Sequence, residues 1–324
     1  MTDLVTIAIP VYNRDGYFRE ALESALQQTT PTRVLVVDNA SPDVDFPAIL
    51  ESYACDRLAY HRNERNLGMV DNWNQCIRLC TTPYLLILHD DDKLYVDYVR
   101  AFEAVSRPLV DLYYGRALFM DQDGVQLSKD PIGALCHYED ICHWSYNNPV
   151  PMGAIFRVSA AIELGGFNKK LAYTPDFDFW FRVVLRGSQR VIPATSGWYR
   201  EYTSSLRCTS SLEQSGRIFA HARVQYKRNR ARLRKKEIPI RPKNVPLWGN
   251  LPFRQLAQME PALTHRQFRY ATATCAASQS KTVGGLLVKI FLQVLGVAGA
   301  RALIHFLKIV SPNRSRIRSS LSDG

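Results

Sequence analysis

Two kinds of hydrophobic spacing alternate along the first ninety or so residues. Leu4 to Pro10 (LVTIAIP) is a short apolar run closed by proline, and Arg33 to Val37 (RVLVV) is another that stops at Asp38. Runs of this kind, without a polar residue at every second position, predict strands buried on both faces. Between them Phe18, Ala21, Leu22, Ala25 and Leu26 fall on one helical face over Tyr17 to Gln28. Strand, helix and strand within about 35 residues is the length of a βαβ crossover, which predicts a parallel sheet. The pattern repeats with a helix over 47–54, a strand over 58–61, a helix over 69–80 behind the turn Asn66-Leu67-Gly68, and a strand from Tyr84 to Leu88 that runs into His89-Asp90-Asp91-Asp92. Past residue 110 the alternation loosens, with strands predicted over 111–119 and 153–158 and a helix over 176–186. The fold class is therefore α/β, with a mixed sheet flanked by helices.

The pattern changes after residue 206. Residues 213–236 read as a helix, and Arg223, Lys227, Arg228, Arg230, Arg232, Arg234, Lys235 and Lys236 make it strongly basic. Residues 237–252 hold four prolines and read as a linker. Leu286 to Val310 is apolar but interrupted by Lys289, Arg301, His305 and Lys308, leaving eleven uncharged residues between Lys289 and Arg301. A bilayer span needs about 20, so this stretch, broken at Gly296 and Gly299, predicts two helices, either lying in a membrane surface or packed as a hairpin against the first domain or a second subunit. The expected plan is an α/β domain over 1–206, a basic helical extension and linker over 207–283, amphipathic apolar helices over 284–310 and a disordered tail over 311–324.

Charge sharpens this division. Residues 1–206 carry 19 Lys and Arg against 26 Asp and Glu, a net of −7, whereas 207–324 carry 22 against 4, a net of +18. An acidic head suits cation or carboxylate chemistry, and a basic tail suits an anionic partner. The apolar 286–310 segment makes that partner an anionic membrane surface rather than a nucleic acid. Composition, at 46% hydrophobic and 22% charged over 324 residues, excludes a disordered or collagen-like chain. Seven cysteines without a C-x-x-C pair fit a reducing compartment. The start MTDLVTIAIPVYN has no basic segment before its apolar run, unlike a signal peptide. The expected location is the cytoplasm, with peripheral attachment to the cytoplasmic face of the membrane. Cys136-His137 and Cys142-His143 recur six residues apart, but the spacing matches no common zinc pattern, and His143-Trp144 could instead line an acceptor pocket.

Three successive carboxylates at the mouth of a strand repel one another unless a cation sits among them. A hard divalent ion, Mg²⁺ or Mn²⁺, takes one or two carboxylates and leaves its other positions for water and phosphate. The alternative is a solvated acidic turn. Asp38 and the Asp90 to Asp92 cluster both stand at carboxyl ends of strands, where open α/β sheets bind ligands. Thr174-Pro175-Asp176 before the run Phe177 to Leu185 reads as a helix start, with Thr174 as cap and Asp176 in the first turn.

One further regularity is the order in which short segments follow one another: Ile9-Pro10-Val11-Tyr12-Asn13-Arg14, Ser24 to Thr29, Val36-Val37-Asp38-Asn39-Ala40-Ser41, Asn63-Glu64-Arg65-Asn66-Leu67-Gly68, Leu88 to Asp92, Pro151-Met152-Gly153, Gly165-Gly166-Phe167 and Asp176 to Trp180. This series, over about residues 3–206, resembles the family 2 inverting nucleotide-sugar glycosyltransferases. The resemblance implies a GT-A catalytic domain and a metal-dependent transfer from a UDP- or dTDP-sugar to a glycan or lipid-linked hydroxyl acceptor, in bacterial cell-surface or lipid-linked glycan synthesis. It further implies that Pro10, Tyr12, Asn13, Asp38, Asn39, Asn66, Asp90 and Asp91 bind the nucleotide sugar, that Asp90 and Asp92 hold the metal, and that Asp176 is the catalytic base. Asn39 stands where many members carry Asp, Pro175 where Glu is common, Asn168 where Asp is frequent, and Tyr202 where many have His. The competing readings are a sugar nucleotidyltransferase, for which the first strand lacks a Gly-rich phosphate loop, an inactive nucleotide-sugar-binding relative, and a nucleic-acid-binding protein.

Overall fold

A computed structural model of the chain describes residues 3–127, 152–171, 175–200, 228–229 and 231–236. The chain divides into two compact units, Met1–Thr203 and Ser204–Gly324. In the second unit the described residues 231–235 are helical, within the basic stretch expected to be so. Its linker, the apolar 286–310 segment and the tail lie outside the described residues, as do Cys136, His137, Cys142, His143, Trp144, Pro151, Thr174 and Tyr202.

The first unit opens with β1 (Val5–Val11), α1 (Phe18–Leu26) and β2 (Arg33–Asp38). There follow α2 (Phe46–Leu50) with a 3-10 turn at Glu51–Tyr53, β3 (Leu58–Arg62), α3 (Met69–Leu79) and β4 (Tyr84–Ile87). These four strands pair in parallel in the order β3-β2-β1-β4. Strand β1 sits between two neighbours and is buried almost throughout, which explains its unbroken apolar run. Its Pro10 has no N–H, but that donor would face β4, and the β1–β4 ladder ends at Ala8 opposite Ile87. No sheet bond is therefore lost. On α1, Phe18, Ala21, Leu22 and Ala25 are buried, the face the periodicity predicts.

Beyond β4 come β5 (Lys93–Leu94), α4 (Tyr98–Val105), β6 (Val110–Met120), β7 (Ile155–Arg157), α5 (Val158–Glu163), α6 (Pro175–Arg186) and β8 (Ser188–Arg200). Strand β7 is antiparallel to both β4 and β6, and β8 runs parallel to β6. The eight strands form one mixed sheet in the order β3-β2-β1-β4-β7-β6-β8-β5. The hydrophobic pattern did not foretell β8, because burial does not alternate along it and Pro193 interrupts it. Between the pairs Tyr114–Val191 and Arg116–Thr195 the register shifts, so Ile192, Pro193 and Ala194 form a bulge that absorbs the proline. Among the described residues no helix is long and apolar enough to cross a membrane.

Candidate active site

The parallel strands deliver β1, β2 and β4 to one rim, where the chain leaves each at its carboxyl end. After β1, Asn13 takes a left-handed backbone conformation (φ 50°), which its short polar side chain tolerates. Its amide group is tied to the loop beyond β2: Nδ2 donates to Asp43 Oδ2 at 2.6 Å, and Oδ1 accepts from the Asp43 N–H at 3.0 Å. Tyr12, just before it, remains 45% exposed. Arg14, just after it, forks onto Asp90, with Nε donating to Oδ2 at 3.1 Å and Nη2 to Oδ1, and Nη2 also lies 3.1 Å from Asp91 Oδ2.

Asp38 closes β2 and is fully buried. Its Oδ1 accepts from the Ser41 N–H at 2.9 Å and the Ser41 hydroxyl at 2.6 Å. Its Oδ2 accepts from the Tyr60 hydroxyl at 2.8 Å and from Arg62. Burial and the Asp38 carboxylate push the Tyr60 hydroxyl up to about 12, so it stays a donor. Next to it, Asn39 Oδ1 accepts from Asn63 and from the Leu67 N–H, while Asn39 Nδ2 donates to Asn66 Oδ1 at 2.8 Å. Asn63 also donates to Asn72, whose amide donates to the Val37 carbonyl. Asp38, Asn39 and Asn66 therefore meet at the rim as expected, but their side chains are spent on holding it together. Tyr60 and Arg62 were legible in principle: two residues apart on β3, they share a face, and Arg62 is in register with Asp38.

The acidic cluster lies just past β4. Asp92 has 1% of its side chain exposed. Its Oδ1 accepts from the Arg200 N–H at 2.9 Å, and its Oδ2 has no hydrogen-bond partner among the described residues. Burial foremost, then the neighbouring Asp91 charge, hold its carboxyl well above the usual carboxylate range, with Asp90 adding and the Arg200 N–H opposing. Burial also raises Asp90, against the pull of Arg14. Arg200 is itself buried, donating to the Asp91 carbonyl at 2.9 Å and to Glu20 Oε2 at 3.0 Å, with its guanidinium 4.0 Å from the Tyr17 ring centroid. It positions the loop that carries the carboxylates, a role that the sequence did not disclose.

Ligand atoms of His89, Asp91 and Asp92 come within 4.8 Å of one another, a group able to hold a metal ion. The unpartnered Asp92 oxygen is the feature that fits a cation. The expected metal pair was Asp90 with Asp92; in the structure Arg14 reaches both Asp90 and Asp91. His89 also borders a cavity with Trp73, Met152, Gly153, Phe167, Trp180 and Asp176. Asp176 is half-buried in the first turn of α6 and is the one carboxylate among the described lining residues. Gly153 allows close approach here, since its φ of 78° and the adjacent Ser196 leave no room for a side chain. Asp178, two residues on, is buried and bonded to Arg182 at 2.7 Å; Arg182 also donates to the carbonyls of Leu164 and Gly166.

Residues 6–159 match the family described as glycosyl transferase family 2. An uncharacterized protein of Mycobacterium tuberculosis is 26% identical over 243 residues, covering 68% of this chain and 74% of its own length. An uncharacterized glycosyltransferase of Rickettsia felis is 31% identical over 198 residues, and chondroitin synthase of Escherichia coli 36% over 188. Each shares 56% of this chain, which spans 31% of the first and 26% of the second. Among solved structures, S. aureus TarS residues 1–349 in complex with UDP-GlcNAc gives a TM-score of 0.59 at 15% identity, covering 96% of this chain and 93% of that one. The mannosyltransferase PcManGT of Pyrobaculum calidifontis in complex with GDP-Man and Mn²⁺ gives 0.54 at 17%, covering 96% and 88%. At these identities the structural likeness shows the fold.

Proposed function

We propose that this chain, whose residues 6–159 match glycosyl transferase family 2, is a glycosyltransferase of GT-A fold rather than a sugar nucleotidyltransferase, and that it moves a sugar from a UDP- or dTDP-sugar to a hydroxyl acceptor with inversion. The observation that carries this reading is one cavity with two chemical ends. Asp176 lines it, and His89 joins it to the Asp91 and Asp92 carboxylates.

Each end has a role in a single displacement. Asp176 accepts the acceptor hydroxyl's proton; a carboxylate suffices, because the hydroxyl turns acidic only as the new bond forms. Asp92 and Asp91 would hold a divalent ion, which when bound neutralises the charge that develops on the departing nucleoside diphosphate. With Asp176 as the one carboxylate lining the cavity, a base is present but a second carboxylate to act as nucleophile is not, among the described residues. That favours inversion over a double displacement.

The exposed Tyr12 ring offers a platform for the nucleobase, with Pro10 and Asn13 shaping the chain beside it. Asp38, Asn39 and Asn66 act by fixing the rim, and Asp90 by holding Arg14, whose guanidinium stays half-exposed there and would suit the charge of a diphosphate. Trp73, Phe167 and Trp180 give the cavity aromatic walls suited to the face of a sugar ring, which supports a glycan or lipid-linked acceptor. The test is Asp176→Asn: donor affinity is expected to persist while kcat falls by about 10²–10⁴, the usual worth of a positioned general base. An unchanged kcat would overturn the assignment.

A further inference from the structure

His89 stands where the acidic cluster and the cavity meet. Its ring stacks on the Trp73 indole, with centroids 5.3 Å apart and planes 15° apart, which fixes the plane of the imidazole. Its Nδ1 lies 4.0 Å from Asp92 Oδ2. That gap is too long for a hydrogen bond. It is close to the span of two metal–ligand bonds of about 2.1 Å each, one to an imidazole nitrogen and one to a carboxylate oxygen. Asp92 Oδ2 is the atom that burial leaves without a hydrogen-bond partner among the described residues. Both oxygens of Asp90, meanwhile, are engaged by Arg14.

We propose that His89 is itself a ligand of the divalent ion, and that it biases the site toward a transition ion such as Mn²⁺ over Mg²⁺. This rests on the metal-dependent reading above and adds a ligand and a preference to it. Mg²⁺ takes hard oxygen ligands and gives up its water reluctantly. Sites that include nitrogen bind the first-row divalent ions in an order that starts at Mn²⁺ and rises from there, and an imidazole is a poorer exchange for the water of Mg²⁺ than an oxygen ligand is. A site built from one imidazole and two carboxylates therefore loses one of its three protein ligands when Mg²⁺ enters. The stacking on Trp73 supplies what a flexible histidine would lack, a ring already oriented before the ion arrives.

The test uses the full-length, metal-free chain with Mn²⁺ alone and no donor. Mn²⁺ affinity is read from the free-ion paramagnetic resonance signal, Mg²⁺ affinity by competition, and the ligand from nitrogen hyperfine coupling in pulsed spectra. The wild type is expected to show an imidazole nitrogen on Mn²⁺ and to bind it about tenfold or more tightly than Mg²⁺. His89→Phe, which keeps a ring against Trp73, should lose the nitrogen coupling and weaken Mn²⁺ about tenfold, the low end of what support of a metal site is worth, with Mg²⁺ little changed. His89→Gln, without a ring, should do the same. If the coupling is absent from the wild type, or both variants bind Mn²⁺ as it does while Asp92→Asn does not, His89 is only an aromatic wall and the inference fails. If Asp92→Asn also binds Mn²⁺ as the wild type does, the metal site of the proposed function falls with it.

Discussion

Oδ2 of Asp92 lies where the fold supplies no donor among the described residues, with Asp91 and Asp90 adding repulsion. A carboxylate held this way destabilises the metal-free protein, because the folded state binds a proton more tightly than the unfolded chain does. By linkage, stability falls as pH rises from the unfolded value toward the raised folded one, and the full penalty applies above it. Asp92→Asn removes the charge and keeps the shape. Without metal the variant should therefore melt higher than the wild type at neutral pH, by about 2 °C or more if the gain reaches 1 kcal/mol, with the difference shrinking toward pH 4. Saturating Mn²⁺ should raise the wild type and leave the variant where it was. The same variant should lose activity, since strain kept at a site is commonly tied to its function. Equal melting temperatures in chelator would show that the orphaned oxygen is not a strained one. Sequence alone pointed to Asp92 through charge repulsion, but not to Arg14, whose partner Asp90 lies 76 residues away past another strand, or to His89, whose ring is set by Trp73 on α3.

Helix α6 shows how one element divides its carboxylates. Asp176 and Asp178 are two positions apart, about 200° around the helix axis, and so serve different surroundings: one lines the cavity, the other is buried against Arg182. Arg182 in turn holds the carbonyls of Leu164 and Gly166, and Asn74 binds both the N–H and the carbonyl of Phe167. Asp178→Asn should therefore lower stability by about 1–3 kcal/mol, the range for leaving a buried polar partner unmet, while kcat falls far less than in Asp176→Asn. A larger loss of kcat in Asp178→Asn would exchange their roles. The parallel half of the sheet was readable from spacing because β1 and β2 are buried on both faces and α1 on one stripe. Strand β8 was not, since a bulge around Pro193 and an exposed Val191 erase its alternation, and with it went the position of Arg200 beside Asp92.

On the scale of the whole molecule, an acidic first unit precedes a strongly basic remainder. We expect the 286–310 segment to lie in the membrane surface and the 223–243 stretch to add attraction to anionic lipid. Its Lys and Arg residues are each worth about 1 kcal/mol near such a surface. The intact chain should float with anionic vesicles at low salt and release as salt rises; indifference to them at low salt would end that idea. The central claim is inverting transfer from a nucleotide sugar, and it can be read without knowing the acceptor. UDP-, dTDP- and GDP-sugars are incubated with the enzyme and Mn²⁺, and the anomer of the first-released sugar is followed by NMR before it mutarotates. A single displacement with Asp176 activating water predicts release, from a UDP- or dTDP-sugar, of the anomer opposite to the donor's. Release with the donor's own configuration would contradict it.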